Sequence, residues 1–215
     1  MIAALYIDPK GPYAKRPDVD AWDKTRDARL YAGPWPVVAH PPCERWGRYA
    51  EGGPSARVAR VRGDDGGCFA SALAAVRRWG GVLEHPAHSS AWATHELLAP
   101  PRQGGWISAG DWFGWTCCVE QGHYGHRARK ATWLYVVGAT ALPSLRWGPS
   151  AARARLDAGY HSAAERAAAK ASGMVTTAER LGARECRLTP AEFAALLENI
   201  ASGCQLARAA VSLQA

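Results

Sequence analysis

The sequence predicts an α/β fold in which a mostly parallel sheet carries a β-hairpin at one edge. Two short apolar runs, residues 37–39 and 82–83, are each followed by proline, which cannot continue the hydrogen-bond ladder of a sheet. Between them, residues 68–79 have apolar side chains at helical spacing, basic residues in the last turn and two glycines as a stop. A right-handed strand–helix–strand crossover makes the two strands parallel.

The amino-terminal part predicts one further strand of this sheet. Residues 3–7 form an apolar run that ends at Asp8, next to a turn rich in glycine and proline. Residues 16–33 are polar and rich in aspartate, and they predict one short helix at 21–29. We expect no second strand in this segment.

The second half of the chain predicts the hairpin and a helical end. The hairpin arms are residues 112–119 and 132–137, and a basic connection at 121–130 joins them. Residues 151–172 are rich in alanine and arginine and have no clear pattern. Residues 188–197 predict a final helix with Thr189 as its N-cap.

Length and composition predict a protein of one core. The chain has 215 residues, and we expect residues 1–140 to form the α/β domain and 141–215 a helical extension packed on it. No apolar run approaches the roughly 20 residues of a membrane span, and the first residues form no basic leader. Six cysteines without a regular framework favour free thiols in a reducing compartment. We therefore expect a cytoplasmic protein without a membrane partner.

The charge of the chain predicts an anionic partner. The formal net charge is +7, and several of the ten tryptophans stand beside arginine, as in Arg45-Trp46 and Arg78-Trp79. Arginine next to aromatic side chains suits phosphate contacts and base stacking, so DNA is the expected partner. The alternative is a GC-rich genome that raises the frequencies of arginine and tryptophan codons together.

Cys43 is a candidate nucleophile because of its position. It follows the apolar run 37–39 after two prolines, which places its thiol at the carboxyl end of a predicted strand. In open α/β sheets ligands bind at this edge. The alternative is that Cys43 is a small buried side chain beside a proline turn.

Three motifs in this order resemble the catalytic domain of DNA (cytosine-5) methyltransferases. Residues 40–47 (His-Pro-Pro-Cys-Glu-Arg-Trp-Gly) look like the Pro-Pro-Cys-Gln loop of that family. Residues 82–86 (Val-Leu-Glu-His-Pro) look like its Glu-Asn-Val motif, with His85 in place of asparagine. Residues 124–130, followed by a strand, look like its Gln-x-Arg-x-Arg motif, although the glutamine has no clear match.

The resemblance implies a Rossmann-like, methyltransferase-type sheet and a set of roles for the site residues. It assigns Cys43 as the nucleophile that attacks C6 of a pyrimidine, and Glu84 as the partner of ring N3. It assigns Arg127 and Arg129 to positioning the base and the catalytic loop. Without the resemblance, Glu84 is an exposed strand-end carboxylate and the two arginines belong to a solvated hairpin tip.

The resemblance also implies S-adenosylmethionine as the donor, but the cofactor half of the predicted fold is shortened. In the family a glycine-rich turn after the first strand and an acid after the second hold this cofactor. Here Asp8, Gly11 and Asp23 are the candidate contacts, and none of them belongs to a recognisable motif. A partner subunit could supply the missing cofactor or recognition part. Small diverged chains of this kind resemble bacteriophage or mobile-element products.

Three alternative functions remain open on the sequence. The same thiol attack could serve a folate one-carbon donor that delivers a hydroxymethyl group. The chain could instead be a non-catalytic DNA-binding module. A zinc site could form from His123 and His126 with Cys117 or Cys118, of which only one can bind because neighbouring strand residues point to opposite faces. We expect no bound metal for the one-carbon transfer or for the DNA-binding module.

Overall fold

The computed structural model describes residues 1–14, 16–52, 58–111, 113–154, 156, 164, 167–168, 171 and 181–204. Across this part of the chain seven strands form one sheet in the order β2-β1-β3-β4-β7-β6-β5. The strands are β1 Ile2–Leu5, β2 Val19–Trp22, β3 Val37–Ala39, β4 Gly81–Pro86, β5 Ile107–Ser108, β6 Gly114–Glu120 and β7 Ala131–Val137. The helices named here are α1 Cys68–Trp79, α2 Ser90–Thr94, α3 Ala183–Arg187 and α4 Ala191–Ser202, with 3₁₀ turns at Ala28–Leu30 and Gln121–Tyr124.

The sheet is mixed, so the predicted α/β class is confirmed but the expectation of a mostly parallel sheet is not borne out. Strands β2, β1, β3 and β4 are parallel neighbours. The pairs β4–β7, β7–β6 and β6–β5 are antiparallel. The predicted hairpin of β6 and β7 is present, and it pairs along the whole of β4 and so adds an antiparallel half to the parallel one. Residue 112, the predicted start of the first arm, lies outside the described residues.

The prediction for residues 16–33 is wrong in two respects. Val19–Trp22 is a strand that pairs with β1 in parallel, and the helical turn is limited to Ala28–Leu30. Of the four residues of β2 only Val19 is buried, because the strand lies at the edge of the sheet. A short, half-exposed edge strand lacks the apolar run that marks a central strand, which explains why the sequence pattern does not reveal it.

Alternate residues of the strands supply two cores, one on each face of the sheet. In β1, Ala3 and Leu5 belong to the core under α1 and α2, whereas Ile2 and Ala4 belong to the core under α4. This alternation follows from the two-residue period of a strand. Because both faces of β1, β3 and β4 are covered, only the strand ends are open to a ligand.

The last predicted helix is present as α4. It begins at Ala191 with Pro190 as its N-cap, one residue later than predicted, and it buries Phe193 and Leu197 against the sheet. The segment 151–172, for which no clear pattern was expected, lies largely outside the described residues. No helix of the described residues is both long and apolar enough to cross a membrane.

Gly81 allows β4 to lie close to β3, which predicts a large cost for any side chain there. Its φ is +122°, and an added Cβ would lie 2.0 Å from the carbonyl oxygen of Val37. We expect Gly81→Ala to lower the free energy of unfolding by about 3 kcal/mol, measured by urea denaturation.

Gly105→Ala is the matched control. Gly105 also has a positive φ, +91°, but an added Cβ would have no neighbour within 4 Å. This control measures the effect of backbone strain alone, and we expect Gly105→Ala to lower the free energy of unfolding by about 1 kcal/mol. Equal losses in the two variants would contradict the close approach at Gly81.

Candidate active site

The register of two parallel strands brings the candidate residues together. Ala39, the last residue of β3, pairs with Leu83 of β4, so the next residues along each strand, His40 and Glu84, lie side by side. The prolines at 41 and 42 then turn the chain away, and Cys43 follows beyond the strand end. The structure therefore places Cys43 and Glu84 at the same sheet edge, as the sequence predicts.

Glu84 is a buried carboxylate with fixed partners. Its Oε2 lies 2.9 Å from Nδ1 of His40, and its Oε1 accepts a hydrogen bond of 3.1 Å from Nε2 of Gln121. Gln121 is held in turn by donating to Oγ1 of Thr132 at 3.0 Å. Burial raises the pKa of Glu84, but the hydrogen bond and charge of His40, together with the charge of Lys130, outweigh burial and hold the pKa below its ordinary value. The carboxylate is therefore ionised at neutral pH.

Cys43 is exposed as a residue, although protein atoms surround its sulfur. This desolvation and the negative charge of Glu84 raise the pKa of the Cys43 thiol, while the positive charge of Lys130 acts in the opposite direction. The free protein therefore holds a protonated thiol, and offsetting the charge of Glu84 would favour the thiolate.

Lys130 is a site residue that the sequence reasoning did not single out. It directly precedes β7, has a φ of +39° and donates from Nζ to the carbonyl oxygen of Leu188 at 2.9 Å. Burial lowers the pKa of Lys130, and the negative charges of Glu84 and Cys43 oppose that shift. The sequence signal for a site residue here was the position of Lys130 immediately before a strand that pairs with β4. Which of the neighbouring basic residues acts on the site depends on the local turn, which the sequence does not show.

The two predicted arginines lie near Lys130 in the chain but have other partners. Nη1 of Arg127 lies 2.8 Å from Oε1 of Glu185 in α3. Arg129 is exposed and lines a cavity of about 310 Å³ together with Arg102 and Glu120. Lys130, by contrast, is the hairpin residue whose charge acts on both Cys43 and Glu84. The role assigned to the arginines stays a prediction.

The three candidate cofactor residues follow the carboxyl ends of β1 and β2. Gly11 donates from its backbone to the carbonyl oxygen of Asp8 at 2.8 Å, which closes a tight turn, and Gly11 lines a cavity of about 350 Å³ that Arg127 also lines. Asp23 comes directly after β2, and its Oδ1 accepts from the backbone and hydroxyl of Thr25. An acid thus follows the second strand, although the sequence pattern does not predict that strand.

His85 is buried and neutral. It stands where the resembled motif has asparagine, and its ring packs against Phe69 and Trp92. Burial lowers its pKa to about 4. His85 therefore carries no charge near neutral pH and supports the site by packing.

The alternative zinc site finds no support in the described residues. Cys117 and Cys118 are both buried, and His123 and His126 direct ring nitrogens to backbone carbonyl oxygens. Among the residues that the structure describes, no group of three or more metal-ligating side chains could hold an ion.

Comparisons of the chain with protein-family models, with curated proteins and with solved structures find no match. Its function is therefore inferred from the chemistry of the site.

The electrostatics of the site predict how fast Cys43 reacts with iodoacetamide. Replacing Glu84 by glutamine removes a negative charge that disfavours the thiolate, so Glu84→Gln should lower the pKa of Cys43 and speed its alkylation severalfold at pH 7. Lys130→Gln should have the opposite effect. Peptide mapping by mass spectrometry distinguishes Cys43 from the other cysteines.

Glu44→Gln is the matched control, because Glu44 neighbours Cys43 in sequence, is exposed and contributes less to its pKa than Glu84 does. We expect a smaller acceleration in this variant. Equal alkylation rates in Glu84→Gln and the unchanged protein would contradict the electrostatic coupling.

Proposed function

We propose that this protein modifies a pyrimidine base of DNA, cytosine above all, by transferring a one-carbon group to C5. The observation that carries the proposal is the juxtaposition of three groups at one sheet edge. The thiol of Cys43 lies beyond the end of β3, the carboxylate of Glu84 lies in the neighbouring strand β4 just past its parallel pairing with β3, and the ammonium group of Lys130 acts on both. This set has the nucleophile, the ring-nitrogen partner and the cation that the chemistry requires.

The reaction needs these groups because C5 of cytosine is a weak nucleophile. Addition of the Cys43 thiolate to C6 moves the electrons of the ring so that C5 becomes part of an enamine, which can attack an electrophilic carbon. Glu84 accepts a hydrogen bond from the amino group beside N3 and passes on the proton that N3 takes up as negative charge develops there during the addition. Lys130 stabilises the thiolate and the negative charge of the ring.

The same electrostatics couple nucleophile formation to the presence of the base. Without a base, the charge of Glu84 disfavours the thiolate of Cys43. A cytosine whose amino group and N3 side hydrogen-bond to Glu84 disperses that charge. The thiolate then forms when its substrate is in place, which limits side reactions of an exposed cysteine.

A base must leave the duplex to reach this site, because C6 within the stack is inaccessible to a side chain. The segment that follows Cys43 carries exposed basic side chains suited to holding the phosphate backbone. Arg48 lies over the ring of Tyr49 at 5.7 Å, and Arg60 is exposed. With a net charge of +7, the chain is suited to a polyanion.

S-adenosylmethionine remains the donor that the resemblance suggests, with a folate one-carbon unit as the alternative. The parallel order β2-β1-β3-β4 supports a Rossmann-like cofactor half, because it puts the end of β1 next to the site strand β3 and the end of β2 one strand further along. Asp23 after β2 would hold the cofactor, and the turn of Asp8 and Gly11 would approach it through its backbone. When bound, the group supplies an electrophilic methyl.

A DNA oligonucleotide with 5-fluorocytosine should trap the protein covalently. Fluorine at C5 cannot leave after the one-carbon group has been transferred, so the bond between sulfur and C6 persists in denaturant. We expect a complex with either S-adenosylmethionine or a folate donor, and mass spectrometry should map the bond to Cys43. Cys43→Ala should form no complex, whereas Cys68→Ala should behave like the unchanged protein because its thiol lies at the start of α1.

Two outcomes of the trapping experiment would contradict the proposal. One is a complex that persists in Cys43→Ala. The other is well-bound DNA that gives no complex with either donor, a result that would favour the non-catalytic DNA-binding module.

DNA binding should depend steeply on salt. Each phosphate contact that is lost should reduce the slope of log affinity against log salt by about one. We expect Arg48→Gln with Arg60→Gln to reduce this slope in a fluorescence anisotropy titration. Lys24→Gln, at an exposed lysine in the turn after β2, should leave it unchanged. Binding that is insensitive to salt would contradict this interface.

A further inference from the structure

We propose that His40 is a positioning residue for this reaction: it holds Glu84 in place and supplies, through Glu84, the proton that N3 of the base takes up. The inference rests on the proposed function and deepens it. The resemblance assigns a cysteine, a glutamate and two arginines, and it gives no role to His40.

Both ring nitrogens of His40 are held. Nδ1 lies 2.9 Å from Oε2 of Glu84, and the hydroxyl oxygen of Tyr13 lies 3.1 Å from Nε2. The side chains of His40 and Glu84 are only 12% and 10% exposed, and Tyr13 is 2% exposed. The orientation of the imidazole is therefore fixed by two contacts within a largely dry site.

The partners determine where the protons of the ring lie. An ionised carboxylate only accepts, so Nδ1 of His40 carries a hydrogen and donates it to Glu84. The hydroxyl of Tyr13 can donate to a neutral Nε2 or accept from a protonated one. His40 can therefore gain or lose the Nε2 proton without losing either hydrogen bond.

Tyr13 itself does not take part in the proton transfer. Burial, followed by the negative charges of Glu198 and Glu84, raises the pKa of the Tyr13 phenol well above its ordinary value. The phenol therefore keeps its proton, and Tyr13 serves as a hydrogen-bond partner that adapts to either charge state of His40.

The other ionisable groups that face this pair come from several elements. Lys130 before β7 and His85 in β4 act on Glu84, and Cys43 lies beyond the end of the strand that precedes His40. Behind Tyr13, Glu198 of α4 is paired with Arg16 at 2.6 Å. Of these groups, Glu84 is the one in direct contact with His40.

The proton balance of the addition step follows from this arrangement. The Cys43 thiol loses its proton to solvent, and the resulting thiolate forms a bond from sulfur to C6. The electron pair of the C5–C6 double bond forms a double bond between C4 and C5, and the pair between N3 and C4 moves onto N3. N3 takes a proton from Glu84, which receives the Nδ1 proton of His40. The products are an enamine, an ionised Glu84 and an imidazole that retains its Nε2 proton.

The charged imidazole is thus the form that reacts, which gives a defined pH dependence. Loss of the Nε2 proton removes the proton that reaches N3, so the contribution of His40 to the rate should fall as pH rises. The need for a Cys43 thiolate makes the rate itself rise with pH, so the contribution of His40 is measured as the ratio of the rates of the unchanged protein and a His40 variant. The neutral imidazole already has its Nδ1 hydrogen bonded to Glu84, but giving that proton away would leave an imidazolate, which is too basic to form here.

The variant His40→Asn tests the supply of the proton to Glu84 separately from the hydrogen bond that holds Glu84. The Asn Nδ2 group can replace Nδ1 as the donor to Glu84, but an amide cannot supply a proton. In single-turnover trapping with the 5-fluorocytosine oligonucleotide, we expect this variant to react about 100-fold more slowly than the unchanged protein at pH 6.5, and the ratio of the two rates to shrink as pH rises. Its DNA affinity should match that of the unchanged protein.

Tyr13→Phe is a second variant that keeps His40 in place. Loss of the hydroxyl removes the acceptor for the Nε2 proton of His40. Adduct formation should therefore be slower in this variant than in the unchanged protein at neutral pH. Thermal unfolding of both variants shows whether the fold is retained.

The outcomes separate the inference from the proposed function. If the unchanged protein forms the adduct and both variants keep its rate and pH profile, the inference is overturned while the function stands. If the unchanged protein forms no adduct, both the proposed function and the inference are wrong.

Nitrogen-15 NMR of the His40 ring tests the inference without substrate. We expect a proton on Nδ1, and a proton found only on Nε2 at neutral pH would overturn the inference.

Discussion

The close parallel pairing of β3 with β4 is the constraint on which the site depends. Gly81 lets the backbone of β4 approach Val37, and the register that follows sets His40 beside Glu84. Because a one-residue slip would turn each of these side chains to the opposite face, the register fixes both the distance and the direction of the pair. The prolines after Ala39 then place Cys43 just beyond it.

The buried charge of Glu84 is better explained by chemistry than by stability. A buried carboxylate loses solvation, and partners such as His40 and Gln121 offset that loss without making the ion pair a strong source of stability. In return the site gains a fixed charge that controls the thiol of Cys43 and is itself opposed by Lys130. Titratable groups coupled in this way at an open strand end are characteristic of functional sites.

The sequence predicted the parts of the site that depend on local signals for the ends of strands. The prolines after the apolar run 37–39 located Cys43 beyond a strand end, and the hairpin was visible from its arms. The predicted end of the strand at 82–83 is wrong, because β4 continues through Pro86 by pairing with β7 and Glu84 lies within it. The sequence did not reveal β2, because an edge strand with one buried residue has little apolar signal. Nor did it single out Lys130 or the contact of His40 with Glu84. Those depend on a backbone turn with positive φ and on the strand register, which are properties of the folded chain.

Hydrogen exchange at C5 tests the central claim, addition of the Cys43 thiolate to C6, without requiring any donor. The enamine can take a proton from water at C5, and reversal then leaves solvent hydrogen in place of the original one. With DNA carrying tritium at C5 of cytosine, we expect the unchanged protein to release tritium into water and Cys43→Ala to release none. Tritium retained in DNA that the protein binds well, or equal release by Cys43→Ala, would contradict the account.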